Sequence, residues 1–224
     1  MRYNIIAAKT FGSLTANQFE TTRFLTGGQG SCLVVYVLKG IGQDRTAAMA
    51  HILSANLVAT NTDKQVSEEK KNGNVIKVTT VTTQVRKSVD AATCQKRLGN
   101  FWTDYLAGVD KGNVTFIIGK EPEPSTWMAL EAIQQAMKDN PGDFNPEIKS
   151  IEPEYAVTAP GGEVVTEGVP SWRNAQRTLL KKTDSADEKD KIIKAMNSGL
   201  PGEELILNDN VFSGMTSVEI PPND

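Results

Sequence analysis

The sequence predicts an α+β chain with a ferredoxin-like split βαβ core, in the order β-α-β-β-α-β over residues 31–119. Three observations lead there. A valine-rich apolar run, SCLVVYVLK (31–39), stops at glycines and is followed by an amphipathic stretch. An Asn72-Gly73 pair sits between two long polar and β-branched segments. A wide apolar stripe beginning near Ser88 leads into a second short apolar run, NVTFIIG (113–119). Strand, helix, hairpin, helix and strand in that succession describe the split βαβ arrangement.

Each element has its own warrant. Residues 31–39 are apolar without alternation, as expected of a central strand covered on both faces. Gly40 to Gln43 form a turn, and Asp44 is placed to cap a helix carrying Met49, Ile52, Leu53 and Leu57 on one face. On that helix His51, the only histidine, projects away from the Met49/Leu53 face and reads as a surface residue. KQVSEEKK, Asn72-Gly73 and NVIKVTTVTTQV make a long hairpin, because Asn-Gly tolerates the positive φ that a two-residue turn demands and valine and threonine suit strands. Its tip, Glu68, Glu69, Lys70, Lys71, Asn72 and Gly73, is charged and belongs in water or against a partner. Ser88 or Asp90 opens a helix whose stripe is Ala91, Cys94, Leu98, Phe101, Trp102 and Tyr105, and Gly108 stands where a C-terminal glycine ends it. Beyond EPEP (121–124), Ser125 caps a helix with Trp127, Leu130, Ile133 and Met137 on one side. EIKSIEPEYAVTAP (147–160) alternates like an edge strand punctuated by proline. Helices are expected from about Ser171 to Lys182 and from the capping box Ser185-x-x-Glu188 to Gly199.

The organisation is therefore an N-terminal strand or arm over 1–30, an α+β core domain over 31–158, and a C-terminal helical or extended appendage over 159–224. A length of 224 residues allows a core that needs no staples. A net charge of -3 argues against a protein that coats duplex DNA with its whole surface. The two cysteines, Cys32 and Cys94, lie in apolar patterns and form no C-x-x-C pair. They read as small buried hydrophobes in a reducing compartment. The N-terminus lacks a signal-peptide core, and no stretch approaches the roughly 20 apolar residues of a membrane span. The expected location is the cytoplasm, or a virion if the protein is viral, with no membrane partner.

The chemical motifs are mostly negative. G-I-G-Q-D-R (40–45) lacks the third glycine of a dinucleotide fingerprint, and no G-K-[ST] follows any glycine cluster. A lone histidine with few cysteines supplies neither a zinc set nor a triad, and no G-x-S-x-G elbow is present. No catalytic residue, metal site or cofactor is assigned. Basic residues are patterned more clearly: Arg173, Arg177 and Lys181 recur every four residues with Lys182 beside them, and Arg86 and Lys87 end the long strand. Such stripes can grip phosphates. An RNA-recognition platform is missing, since the third strand has no aromatic residue on which a base could stack.

Two main functions are compatible with this pattern. The first is a non-enzymatic interaction or assembly protein, a subunit of a larger complex such as a virus or phage particle, with self or other protein subunits as partners through the hairpin tip. Deleting Glu68–Asn74 is then expected to abolish assembly and leave a folded monomer. The second is a nucleic-acid-binding protein that contacts phosphates through Arg173, Arg177, Lys181, Lys182, Arg86 and Lys87. A small-molecule enzyme on the same sheet is the weakest of the three.

Overall fold

The computed structural model describes residues 2–6, 8–26, 31–119 and 121–144, with short pieces at 180–181, 185–187, 189–190 and 216–219. The fold is α+β. At its centre lies a four-stranded antiparallel sheet made of β2 (Thr10–Thr15), β5 (Thr46–Leu53), β4 (Cys32–Lys39) and β8 (Val114–Ile118), side by side in that order. Both faces of this sheet are covered, which explains why its strands read as uninterrupted apolar runs rather than as alternating ones.

On one face Leu33, Val35, Ala50, Ile52, Phe116 and Ile118 meet two helices. Helix α1 (Ala91–Leu98) brings Cys94 and Leu98, and α2 (Pro124–Ala136) brings Ala129, Leu130 and Ile133. Asp90 caps α1 by accepting from the Thr93 backbone N–H at 2.9 Å and from its hydroxyl at 2.7 Å. Those bonds hold the Asp90 carboxyl below its usual range. After Gly99 the chain re-enters helical conformation, widens to a π-turn over Trp102–Leu106, and stops at Gly108 (φ 70°). Of the two expected starts, Ser88 and Asp90, it is Asp90 that caps; the single helix expected to run to Gly108 is interrupted at Gly99, where α1 ends (φ 52°). Helix α2 starts with Pro124 at its first turn; Glu123, not Ser125, stands at its N-cap position, without a side-chain capping bond. Leu130, Ile133 and Met137 are buried as expected, but Trp127 stays 43% exposed.

On the opposite face Leu14 of β2, Val34, Tyr36, Met49 and Ile117 pack against Ile6 and Phe24. This cover comes from the N-terminal segment. Strand β1 (Arg2–Ile5) pairs in parallel with β3 (Thr22–Leu25) and antiparallel with β9 (Thr216–Glu219). Residues near the C-terminus thus return to the first strand of the chain, a pairing that no local pattern announces.

One expected element is different in kind. The helix expected after Asp44 is the strand β5, so the order over 31–119 is β-β-β-β-α-β and not the split βαβ order. In TAAMAHIL every residue from Ala47 to Leu53 except His51 is apolar, so a period of 3.6 and a period of 2 fit the run equally. The structure resolves the tie by burying both sides: Ala48, Ala50 and Ile52 face the helices, while Ala47 and Met49 face the N-terminal cover. Gly40 and Gly42 serve the tight connection between β4 and β5, with φ of 82° and 57°. A strand follows them, so the strand–glycine–helix geometry on which a phosphate loop depends is not formed here.

The hairpin strands, β6 (Val58–Lys71) and β7 (Asn74–Ser88), also depart from the expected core. They pair with each other in a separate two-stranded sheet and take no place in the central one.

Candidate interaction arm and the cleft at its base

Strands of 14 and 15 residues make an arm about 45 Å long at roughly 3.3 Å per residue. Its sequence explains why it forms. Asn72 and Gly73 adopt φ of 52° and 81°, the double positive turn that matches strand twist. That turn sets the register: Glu69 lies opposite Lys77, Val66 opposite Thr80, Asp63 opposite Thr83 and Thr60 opposite Arg86. A shift between Glu69 and Lys70 accommodates one extra residue, Ile76, on the returning strand. Lys70 also reaches Glu68 at 3.5 Å, with both side chains half exposed.

The same sequence explains why the arm stays apart from the core. Its valines are split between the two faces. Val66 and Val78 lie on one, Val81 and Val85 on the other, so neither face is apolar enough to pack. They remain 61%, 58%, 52% and 45% exposed, respectively. The arm is tied to the body at its foot only, among the described residues. There Val89 N–H donates to the Leu57 carbonyl at 3.0 Å and the Ser88 hydroxyl to a carboxylate oxygen of Glu131 on α2. Arg97 on α1 donates to the Asn56 carbonyl just before β6.

At this foot lies an open cleft of about 280 Å³, lined by Ser31, Ser54, Thr60, Arg86, Glu123 and Ser125 among others. It joins one cation, one carboxylate and several hydroxyls. Ser54 is committed to Thr126, hydroxyl to hydroxyl at 3.3 Å.

The tip residues Glu68, Glu69, Lys70, Lys71, Asn72 and Gly73 are brought together at the far end of the arm. Arg86 and Lys87 are exposed at its near end, so the two sets of expected contact residues occupy opposite ends of one ribbon. Lys181 is helical and exposed. Arg173, Arg177 and Lys182 lie outside the described residues, as do the expected strand at 147–160 and most of the two helices after Ser171.

The single histidine and the two cysteines are buried. His51 is buried, not on the surface, because it stands on β5 opposite Val34 and Thr10. The Thr26 hydroxyl is 2.7 Å from the Ile6 carbonyl and 2.7 Å from His51 Nδ1. A carbonyl can only accept, so the Thr26 proton goes to Ile6 and His51 Nδ1–H donates to Thr26. Nε2 is then a buried acceptor with no hydrogen-bond partner among the described residues. Burial pushes the imidazole down to about 4, the nearby Ile6 carbonyl opposing this only in part, and the ring is neutral at pH 7. Cys32 and Cys94 are free and buried, as their apolar settings suggest. Burial, aided by the Glu123 carboxylate, pushes Cys32 up to about 12; burial also pushes Cys94 to about 12, opposed by Arg97 and aided by Asp90. Neither supplies a thiolate near neutrality.

Among the described residues no three His, Cys, Asp or Glu side chains gather as metal ligands, and no helix is long and apolar enough to cross a membrane. No protein-family model, curated protein or solved structure matches the chain.

The features that sequence reasoning passed over are the exposed valines and the cleft. The first had a signal. In NVIKVTTVTTQV the apolar residues fall on both parities, which marks a strand without a core-facing side. The cleft had none, because Ser31, Arg86 and Glu123 are remote in sequence.

Proposed function

We propose that this chain is a non-enzymatic assembly protein, a subunit of a larger complex of which a virus or phage particle is the fitting kind, and that the β6–β7 arm is its contact element. One observation carries the reading: a ribbon of 14- and 15-residue strands projects with exposed valines on both faces. A two-stranded hairpin alone in water is marginally stable at best. A partner that covers it supplies the burial its own chain withholds. Lysines along the strands and the irregularity at Glu69/Lys70 fit an arm guarded against indiscriminate edge pairing.

The register specifies the test. Lys64–Ser67 lie opposite Thr79–Thr82, so deleting both blocks shortens each strand by about 13 Å while keeping the turn and the face alternation. Light scattering of the wild-type protein is expected to give a mass well above one chain. The shortened variant should give a single-chain mass with an unchanged near-UV circular dichroism spectrum. A shortened variant that assembles like the wild type removes the arm from the interface.

A further inference from the structure

Charge is distributed unevenly along the chain. The arm, residues 58–88, carries six basic side chains against three acidic ones, net +3. The rest of residues 1–144 is balanced, with ten of each. Residues 145–224 carry fourteen acidic side chains against eight basic, net -6. The imbalance is sharpest at its start: residues 145–170 hold Glu147, Glu152, Glu154, Glu163 and Glu167 against Lys149 alone. This stretch, IEPEYAVTAPGGEVVTEGVP at its centre, also has the alternating, proline-punctuated pattern of an added edge strand.

On this basis we infer that the arm is the docking surface for the acidic segment 145–170 of a second copy of the chain. The inference rests on the assembly reading and names its partner. The arm offers what such a segment needs. Lys64, Lys70 and Lys77 are exposed on the ribbon, with Val66, Val78 and Val81 exposed between them and Val85 exposed toward the foot. Among the described residues neither outer edge of the two-stranded ribbon is paired, so its backbone groups can accept an extended peptide. A polyphosphate fits less well. Asp63, Glu68 and Glu69 are interspersed with the lysines, Glu68 already engages Lys70, and the arm has no aromatic side chain on which a base could stack. A contact between one arm and another is disfavoured because both carry net positive charge.

The contact is heterologous, arm of one copy to segment of the next, and such contacts propagate into rings or open arrays. It is also screened by salt.

Sedimentation velocity on four full-length proteins tests it: the wild type; an arm variant with Lys64→Glu, Lys70→Glu and Lys77→Glu; a segment variant with Glu152→Lys, Glu154→Lys and Glu163→Lys; and the combination of both. All three arm positions are exposed, so reversal there leaves packing untouched. The wild type should associate, more weakly as NaCl rises from about 50 to about 500 mM. Each single-site set should weaken association about tenfold or more, and the combination should recover it. Association unchanged by arm reversal, or two losses without recovery in the combination, overturns the assignment of partner. Wild-type binding to polyuridylate that disappears on arm reversal overturns it in favour of a nucleic acid. A wild type that stays monomeric at all concentrations overturns the assembly reading beneath it.

Discussion

His51 shows how strongly burial can constrain a single titratable side chain. Its Nδ1–H donates to Thr26, its buried Nε2 has no hydrogen-bond partner among the described residues, and burial lowers its pKa from the ordinary 6.5 to about 4. Below pH 6.5 the unfolded chain binds a proton that the folded chain refuses. Stability is therefore complete above that pH and falls as the pH drops toward 4. The two values imply a loss of roughly 3 kcal/mol over this window. Urea unfolding between pH 7.5 and 4 is expected to show it, and His51→Gln, which does not titrate, should remove most of the slope. Equal slopes in both proteins would place the acid sensitivity elsewhere. The two cysteines behave alike at this scale: both are packing groups whose thiols remain protonated.

At the scale of elements, the β4–β5 connection decides the topology. A Cβ at Gly40 would lie 2.4 Å from the Asp44 carbonyl oxygen, and the backbone there has φ of 82°. Gly42 also has positive φ, but the space around it is open. Gly40→Ala should thus destabilise by several kcal/mol, through both clash and strain, and Gly42→Ala by only about 1 kcal/mol. Thermal unfolding of the two variants checks the order, and equal losses contradict this account of the turn. The same connection shows what was legible in the sequence. The hairpin turn at Asn72-Gly73, the Asp90 cap, the Gly108 stop and the apolar β4 run were readable because each is a local requirement of backbone conformation or of burial on both faces. β5 was not, since a run that is apolar almost throughout carries no period, and its alanines suit a helix by propensity while fitting a strand between two packed layers by volume. Nor was β9, whose partner β1 lies at the other end of the chain. Of the candidate site, the charged tip and Arg86/Lys87 at the strand end were readable as parts of one long hairpin, but that the hairpin stands apart from the central sheet was not.

At the scale of the molecule, the body and the arm are built on opposite rules. The body buries its sheet on both faces, and its charges balance. The arm buries neither face and holds a positive excess that the segment after residue 144 matches with a negative one. The proposed assembly follows from this contrast: the body is stabilised on its own, and a neighbour is proposed to complete the arm. Backbone amide hydrogen exchange of residues 58–88, followed at increasing protein concentration, tests that most directly. The account predicts fast exchange along the arm in dilute protein, protection that grows with concentration, and constant slow exchange in β4 and β5 throughout. Arm amides that exchange at the same rate in dilute and concentrated protein, whether fast or slow, would contradict it.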